Sequence, residues 1–130
     1  MMKSMLSGSS ALRAHQVKKD VLAHNVANVN TNDFKSSRTT LQDSFSQTIQ
    51  RVREGRNPMQ VGSGVSVASI DKSTTPGPMR VCGDTVETMS NTDLAVEMTT
   101  MITAQRGFEA NTRVITVADE MLEELVDLKA

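Results

Sequence analysis

Apolar side chains recur along the first thirty residues at intervals of mostly three and four: Ala11, Leu12, Ala14, Val17, Val21, Leu22, Val26 and Val29. Lys18, Lys19 and Asp20 fall on the other side, so the stretch from about Ser7 to Asn30 reads as one amphipathic helix. Ser7, Ser9 or Ser10 is placed to cap it, and the turn formers Asn30-Thr31-Asn32-Asp33 close it. Beyond Phe34 the residues Leu41, Phe45 and Ile49 step by four, which predicts a second, shorter helical stretch from Thr39 to Arg53. The longest periodic segment runs from Asn91 to Lys129, with no proline and one glycine, Gly107. Its seam reads Leu94, Met98, Met101, Gln105, Phe108, Thr112, Ile115, Ala118, Leu122 and Leu125, with the steps of a coiled coil. Ser90 or Asn91 is placed as its N-cap, and Asp93 favours the positive end of the helix dipole. At 1.5 Å per residue such a helix is roughly 58 Å long. A single stripe of that length needs a partner helix, and the first helix is the candidate.

Between Gly55 and Met89 the pattern changes. Five of the seven glycines and all three prolines lie here. Gly62-Ser63-Gly64 precedes Val65-Ser66-Val67-Ala68-Ser69-Ile70, which alternates with period two and reads as a short strand. Pro76-Gly77-Pro78 reads as a turn, with Met79-Arg80-Val81 as hairpin partner to that strand. The expected fold is therefore mostly α. Long N- and C-terminal helices form a coiled-coil-like hairpin with a small β-containing or irregular central arm. A chain of 130 residues predicts one unit, divided as a helical region 1–54, an arm 55–89 and a long helix 90–130.

Composition sharpens this picture. Trp and Tyr are absent, Phe34, Phe45 and Phe108 are the only aromatics, and nine Met join Val, Leu and Ala. Such side chains fill a long, thin core between helix faces. The net charge of −1 argues against nucleic acid as a partner. Residues 1–60 hold nine Lys or Arg against four Asp or Glu, and residues 61–130 hold five against eleven. A basic first half and an acidic second half attract each other, within one molecule or head to tail between copies. The same charges also serve simply to keep a helical surface soluble.

No catalytic, cofactor-binding or metal-binding constellation emerges. His15 and His24 are nine apart, which fits no metal-ligand spacing, and both read as solvent-facing. Cys82 has no base signature nearby and cannot form an internal disulfide. Glu120, Glu123 and Glu124 oppose the helix dipole and read as a solvated or partner-facing surface. Gly62-Ser63-Gly64 lacks the Lys and Ser/Thr of a phosphate cradle. No apolar run has the length of a secretory signal or a membrane span, so export would follow a dedicated route.

The run Ala23-His24-Asn25-Val26-Ala27-Asn28-Val29-Asn30-Thr31-Asn32-Asp33-Phe34-Lys35 stands apart. Asn25 falls inside the apolar stripe, where an unpaired amide is costly, so it is expected to bond across an interface or stay exposed. This run resembles the N-terminal motif of bacterial flagellar rod and hook proteins, Ala-Asn-Asn-Ile-Ala-Asn-x-Asn-Thr-x-Gly-Phe-Lys. Gln60-Val61-Gly62-Ser63-Gly64-Val65 is similar to the family segment that follows. Ser90-Asn91-Thr92-Asp93-Leu94-Ala95-Val96-Glu97-Met98 and Ala104-Gln105-Arg106-Gly107-Phe108-Glu109-Ala110-Asn111 resemble its C-terminal motif.

The resemblance implies a structural subunit of the basal-body rod that transmits torque. It implies export by the flagellum's own type III apparatus, with itself and other rod and hook proteins as partners. The implied assembly residues are Asn25, Ala27, Asn28, Asn30, Thr31, Phe34 and Lys35 in the first motif. Asn91, Asp93, Leu94, Met98, Gln105, Arg106, Phe108, Ala110 and Asn111 follow in the second, with Leu122 and Leu125 beyond. Larger family members carry a big β-rich domain between the two ends, and only about 35 residues separate Gly55 from Ser90 here, which favours a short rod subunit. His24 replaces the usual first Asn of the pair, and Asp33 stands at the family's Gly, a position it can fill at positive φ. The competing reading is a soluble helical binding module, such as an export chaperone, which would have no need of the Gln60–Val65 arm.

Overall fold

A computed structural model describes residues 2–50 and 59–128. The boundary expected near residues 54 and 55, and the tail of the helix expected to reach Arg53, lie outside the described residues. Two helices frame the chain, α1 (Met2–Ala27) and α2 (Leu94–Asp127). Ser7, Ser9 and Ser10 sit inside α1 rather than at its cap, and Ser10 Oγ donates to the Ser7 carbonyl at 2.8 Å. The cap of α2 is Asp93, not Ser90 or Asn91: its carboxylate accepts from the backbone N–H groups of Ala95 and Val96 at 2.9 and 3.3 Å. That satisfies two of the donors a helix start leaves unpaired.

The expectation of a mostly α chain is corrected by what lies between the helices. The described residues include six strands in three antiparallel pairs: β1 (Ser37–Asp43), β2 (Gln47–Gln50), β3 (Met59–Val61), β4 (Val65–Lys72), β5 (Met79–Cys82) and β6 (Thr85–Thr88). The helical stretch expected from Thr39 is instead β1 and β2. Leu41, Phe45 and Ile49 do step by four, but β1 buries Ser37, Thr39 and Leu41 more than Arg38, Thr40 and Gln42. That is a period of two, and the β-branched pair Thr39-Thr40 favours it. Phe45 falls in the connection after β1 and is 97% exposed. The chain is a mixed α and β structure.

The pairing differs from the expected hairpin as well. β4 pairs with β1, Ser37 opposite Lys72 and Asp43 opposite Val65, with a bulge between Thr40 and Leu41. β2 pairs with β3, and the Ser44 N–H donates to the Gly64 carbonyl at 2.9 Å, so the two pairs form halves of one ribbon. β5 pairs with β6 across Gly83-Asp84, and Gly83 has φ +63°. A two-residue hairpin turn needs positive φ at its first central position, and Gly supplies it without strain.

α1 lies between α2 and the ribbon. A seven-residue strand spans about 23 Å, and the helix from Asn25 back to Ser10 rises about 22 Å. β1 therefore runs back along α1, tied at one end by Asn25 to Ser37 and at the other by Ser10 Oγ to the Val65 N–H at 3.2 Å. The two helices are antiparallel, with Gly8 against Ile115, His15 against Gly107 and Asn25 against Glu97. Carried to its end, this register sets Met2 level with about Met121 and leaves the last turns of α2 beyond α1.

The contact seam coincides with the expected one at Met101, Phe108, Ile115, Ala118 and Leu122, which are buried or half-buried, and departs from it elsewhere. Ala104 and Ala118, at 1% and 2% exposure, are the buried centres of α2, in line with Gly107, Asn111, Ile115 and Leu122. Leu94, Met98 and Leu125 are 46%, 51% and 50% exposed, and Gln105 and Thr112 also face outward. Small side chains let two helix backbones approach closely, and α1 answers with Gly8 and the buried Ala14. Among the described residues no helix is long and apolar enough to cross a membrane.

Candidate functional site

The residues of the two motifs converge where α1 ends, β1 begins and α2 starts. Asn25 is fully buried there. Its Nδ2 donates to the Ser37 carbonyl at 2.7 Å and to Glu97 Oε2 at 3.2 Å, and its Oδ1 accepts the Ser37 N–H at 2.9 Å. One side-chain amide thus satisfies both backbone groups of the first β1 residue, as a neighbouring strand would, and reaches the first turn of α2 as well.

A second asparagine repeats the device. Asn91 Oδ1 accepts the Ser36 N–H at 2.7 Å, and its Nδ2 donates to Ser73 Oγ and the Thr75 carbonyl, both at 2.9 Å. Its own N–H donates to the Phe34 carbonyl at 3.3 Å. Between them, Asn25 and Asn91 fix the approach of β1 and the end of β4 to the entry of α2. Gly77 closes the same junction: it is buried, and a Cβ there would run into the Met89 carbonyl.

The turn after α1 is tied by short-range bonds. Asn28 Nδ2 donates to the His24 carbonyl at 3.0 Å, and Thr31 Oγ1 donates to Asn28 Oδ1 at 3.1 Å. Asp33 has φ 57°, the left-handed value expected at that position, and its N–H donates to the Thr88 carbonyl at 2.9 Å. Asn32 Nδ2 reaches Glu87 Oε2 at 2.8 Å. The ring of Phe34 meets His24 edge to face at 5.5 Å. Ala27 and Asn30 are exposed, and Lys35 is half-buried.

Farther along α2 the motif residues do different work. Lys19 lies over the Phe108 ring, 5.1 Å from its centre, a cation–π contact between the helices. Asn111 Nδ2 donates to the Gly107 carbonyl at 2.7 Å. Gln105 and Arg106 both bond Glu109, at 3.1 and 2.9 Å, and these hydrogen bonds hold its carboxyl below the usual glutamate range. Ala110 and Leu125 are exposed, and Leu122 is half-buried. The motif therefore splits into a buried junction, around Asn25 and Asn91, and outward positions such as Leu94, Met98, Gln105 and Ala110.

His15 and Gly107 form a contact the spacing of the histidines gave no sign of. A Cβ on Gly107 would lie 2.7 Å from His15 Cε1, so the glycine makes room for the imidazole, which lies between the helices instead of facing solvent. Gly107→Ala gains about 1 kcal/mol of helix propensity. It also forces the ring against packed neighbours, a displacement that costs about 1–3 kcal/mol. The clash is expected to win, giving a net loss near 1 kcal/mol in urea denaturation that disappears in the Gly107→Ala, His15→Ala pair. A loss unchanged by removing the ring would show that the contact is not the cause.

Burial, and then Lys18 nearby, hold the His15 pKa below its ordinary value of 6.5, and Nδ1 has no hydrogen-bond partner. The unfolded chain therefore takes up the proton first as pH falls through about 6.5, and this group's contribution to stability is lost in that direction. Melting temperature is expected to drop between pH 7.5 and 5.5 more steeply in wild type than in His15→Phe. Parallel slopes would remove His15 as the titrating group.

Ser36, Ser37, Ser73, Thr75 and Glu97 take part in the junction although no motif logic singles them out. The serines and Thr75 act largely through backbone groups, which leave no mark on side-chain pattern, and Glu97 resembles any exposed helix carboxylate. Among the described residues no group of His, Cys, Asp or Glu is arranged to hold a metal ion.

Residues 5–35 match the family described as Flagella basal body rod protein, and residues 86–128 match the one described as Flagellar basal body rod FlgEFG protein C-terminal. These are the segments that the asparagine junction joins. The chain is 48% identical over 83 residues to the flagellar hook protein FlgE of Borreliella burgdorferi, covering 59% of this chain and 19% of that protein. It is 40% identical over 103 residues to FlgE of Treponema pallidum, covering 75% and 21%. With the flagellar basal-body rod protein FlgG of Bacillus subtilis it shares 43% identity over 77 residues, covering 55% and 29%. The chain thus spans about a fifth of the length of the hook relatives it matches. Both family segments, in family order and folded onto each other, lead to one conclusion: the chain belongs to the flagellar basal-body rod and hook protein family.

Proposed function

We propose that this chain is a structural subunit of the flagellar axis, of the short rod type, that assembles through α1 and α2 and carries torque rather than catalysing a reaction. The observation that supports this reading is the apolar face of α2 that α1 leaves open. Val114, Val117, Met121, Leu125 and Leu128 recur at intervals of three and four, and are 42–83% exposed. A helix with one stripe against its mate and a second open to water has a surface for further neighbours. Those neighbours are other copies of this chain and other rod and hook proteins. The subunit reaches the rod through the flagellar export apparatus and needs no cofactor.

Purified basal bodies test this reading. The protein is expected in the rod fraction, and a strain lacking it is expected not to swim. Normal swimming of the deletion strain, or a protein confined to the soluble fraction, would overturn it.

A further inference from the structure

The opposite charges of the two halves do not pair with each other among the described residues. Among the described residues the one ion pair, Arg106–Glu109, lies inside α2, so no cation of α1 meets a carboxylate of α2. The end of α2 concentrates the acidic charge in Asp119, Glu120, Glu123, Glu124 and Asp127, all exposed, with no basic residue in its last turn. Carboxylates there repel one another and oppose the helix dipole, so a cationic neighbour would stabilise them. The same turns overhang α1 and expose Leu125 and Leu128 at 50% and 83%.

At the other end of α2, a groove of about 260 Å³ opens between α1, β1 and the first turns of α2. Val21, Leu22 and Val96 supply its apolar lining, and Lys18 and Arg38 supply two cations, neither of them in an ion pair among the described residues. The groove's own carboxylate, Glu97, is engaged by Asn25.

We infer that the acidic overhang of α2 docks in this groove on a second copy of the chain. Leu125 and Leu128 meet Val21, Leu22 and Val96, while Glu124 and Asp127 meet Lys18 and Arg38. Overhang and groove lie at opposite ends of one helix, about 44 Å apart from Val96 to Leu125 at 1.5 Å per residue. The contact therefore joins different surfaces head to tail, and adds copies in a line instead of closing a symmetric dimer. This rests on the axial-subunit reading and names the surfaces through which successive copies join.

Sedimentation of the purified full chain tests the docking. Wild type is expected to form concentration-dependent oligomers, weakened about tenfold by raising salt from about 0.05 to 0.5 M. A groove variant (Lys18→Glu, Arg38→Glu) and an overhang variant (Glu124→Lys, Asp127→Lys) each stay monomeric alone. Mixed, they form oligomers again, because the intact overhang meets the intact groove and the two charge-reversed surfaces meet each other. All four changes on one chain restore oligomers, and circular dichroism verifies that each variant is folded. Should a charge variant fail to fold, Arg38→Cys with Leu128→Cys in a Cys82→Ser background reads the same contact as an intermolecular disulfide. A wild-type chain that stays monomeric at hundreds of micromolar, or charge variants that oligomerise like wild type, overturns the docking. In cells, normal swimming of the groove variant also overturns it and leaves the axial-subunit reading intact, which fails only if the protein is absent from basal bodies or dispensable for motility.

Discussion

Asn25→Ala is expected to destabilise the chain by about 3–5 kcal/mol, a large share of the roughly 5–15 kcal/mol that holds a typical domain together. The side chain is fully buried and makes three hydrogen bonds, two to the backbone of Ser37 and one to Glu97. Truncation leaves the Ser37 N–H and carbonyl without their partners, and each buried unsatisfied group costs about 1–3 kcal/mol. The Glu97 carboxylate loses a donor at the same time. Asn25→Asp keeps an acceptor for the Ser37 N–H but loses the donor and brings a second carboxylate beside Glu97, so it is expected to be no better. Thermal and urea denaturation followed by circular dichroism gives the measurement. A loss below about 1 kcal/mol for Asn25→Ala would mean that water replaces the amide and that the junction is not held as described.

The importance of Asn25 was legible in the sequence because an amide inside an apolar stripe demands a partner. Its partner was not, because Ser37 answers with backbone atoms that every residue carries. The two helices were legible from their period for a similar reason: long runs of Val, Leu, Met and Ala sample the repeat many times. β1 was not, since three apolar residues four apart satisfy a helical template by chance, while the alternation through Ser37, Thr39 and Leu41 is short and mostly polar. The alternation of β4 marks it as a strand, but the nearest candidate mate in sequence is Met79-Arg80-Val81, whereas its partner β1 lies 22 to 35 residues upstream. The seam of α2 is legible in part. Ile115, Ala118 and Leu122 hold their expected places, but Leu94, Met98 and Leu125 are exposed. The small Ala104 and Gly107 lie against α1, where the pattern of large side chains gives no sign of them. A helix with two apolar stripes offers no internal sign of which one meets its own chain.

That second face makes the other large effect specific. A chain ending at Met121 is expected to remain folded and yet to abolish assembly. Fully burying a leucine side chain is worth about 1.5–3 kcal/mol, so three buried leucines removed together would threaten the fold. Leu122 is only half-buried, Leu125 is 50% exposed and Leu128 is 83% exposed. The truncation also removes Glu123, Glu124 and Asp127, whose charges oppose the helix dipole, so part of the loss is offset. The monomer should lose about 1–2 kcal/mol and keep its helical circular dichroism apart from the missing turns. Assembly loses far more, because the deleted residues are the overhang and the lower part of the open apolar face. Cells that make only the truncated protein are expected to contain it at normal levels, lack a complete rod and fail to swim. Normal swimming would show that the end of α2 is not an assembly element. An unfolded or degraded product would show instead that these turns hold the monomer together, contrary to their exposure.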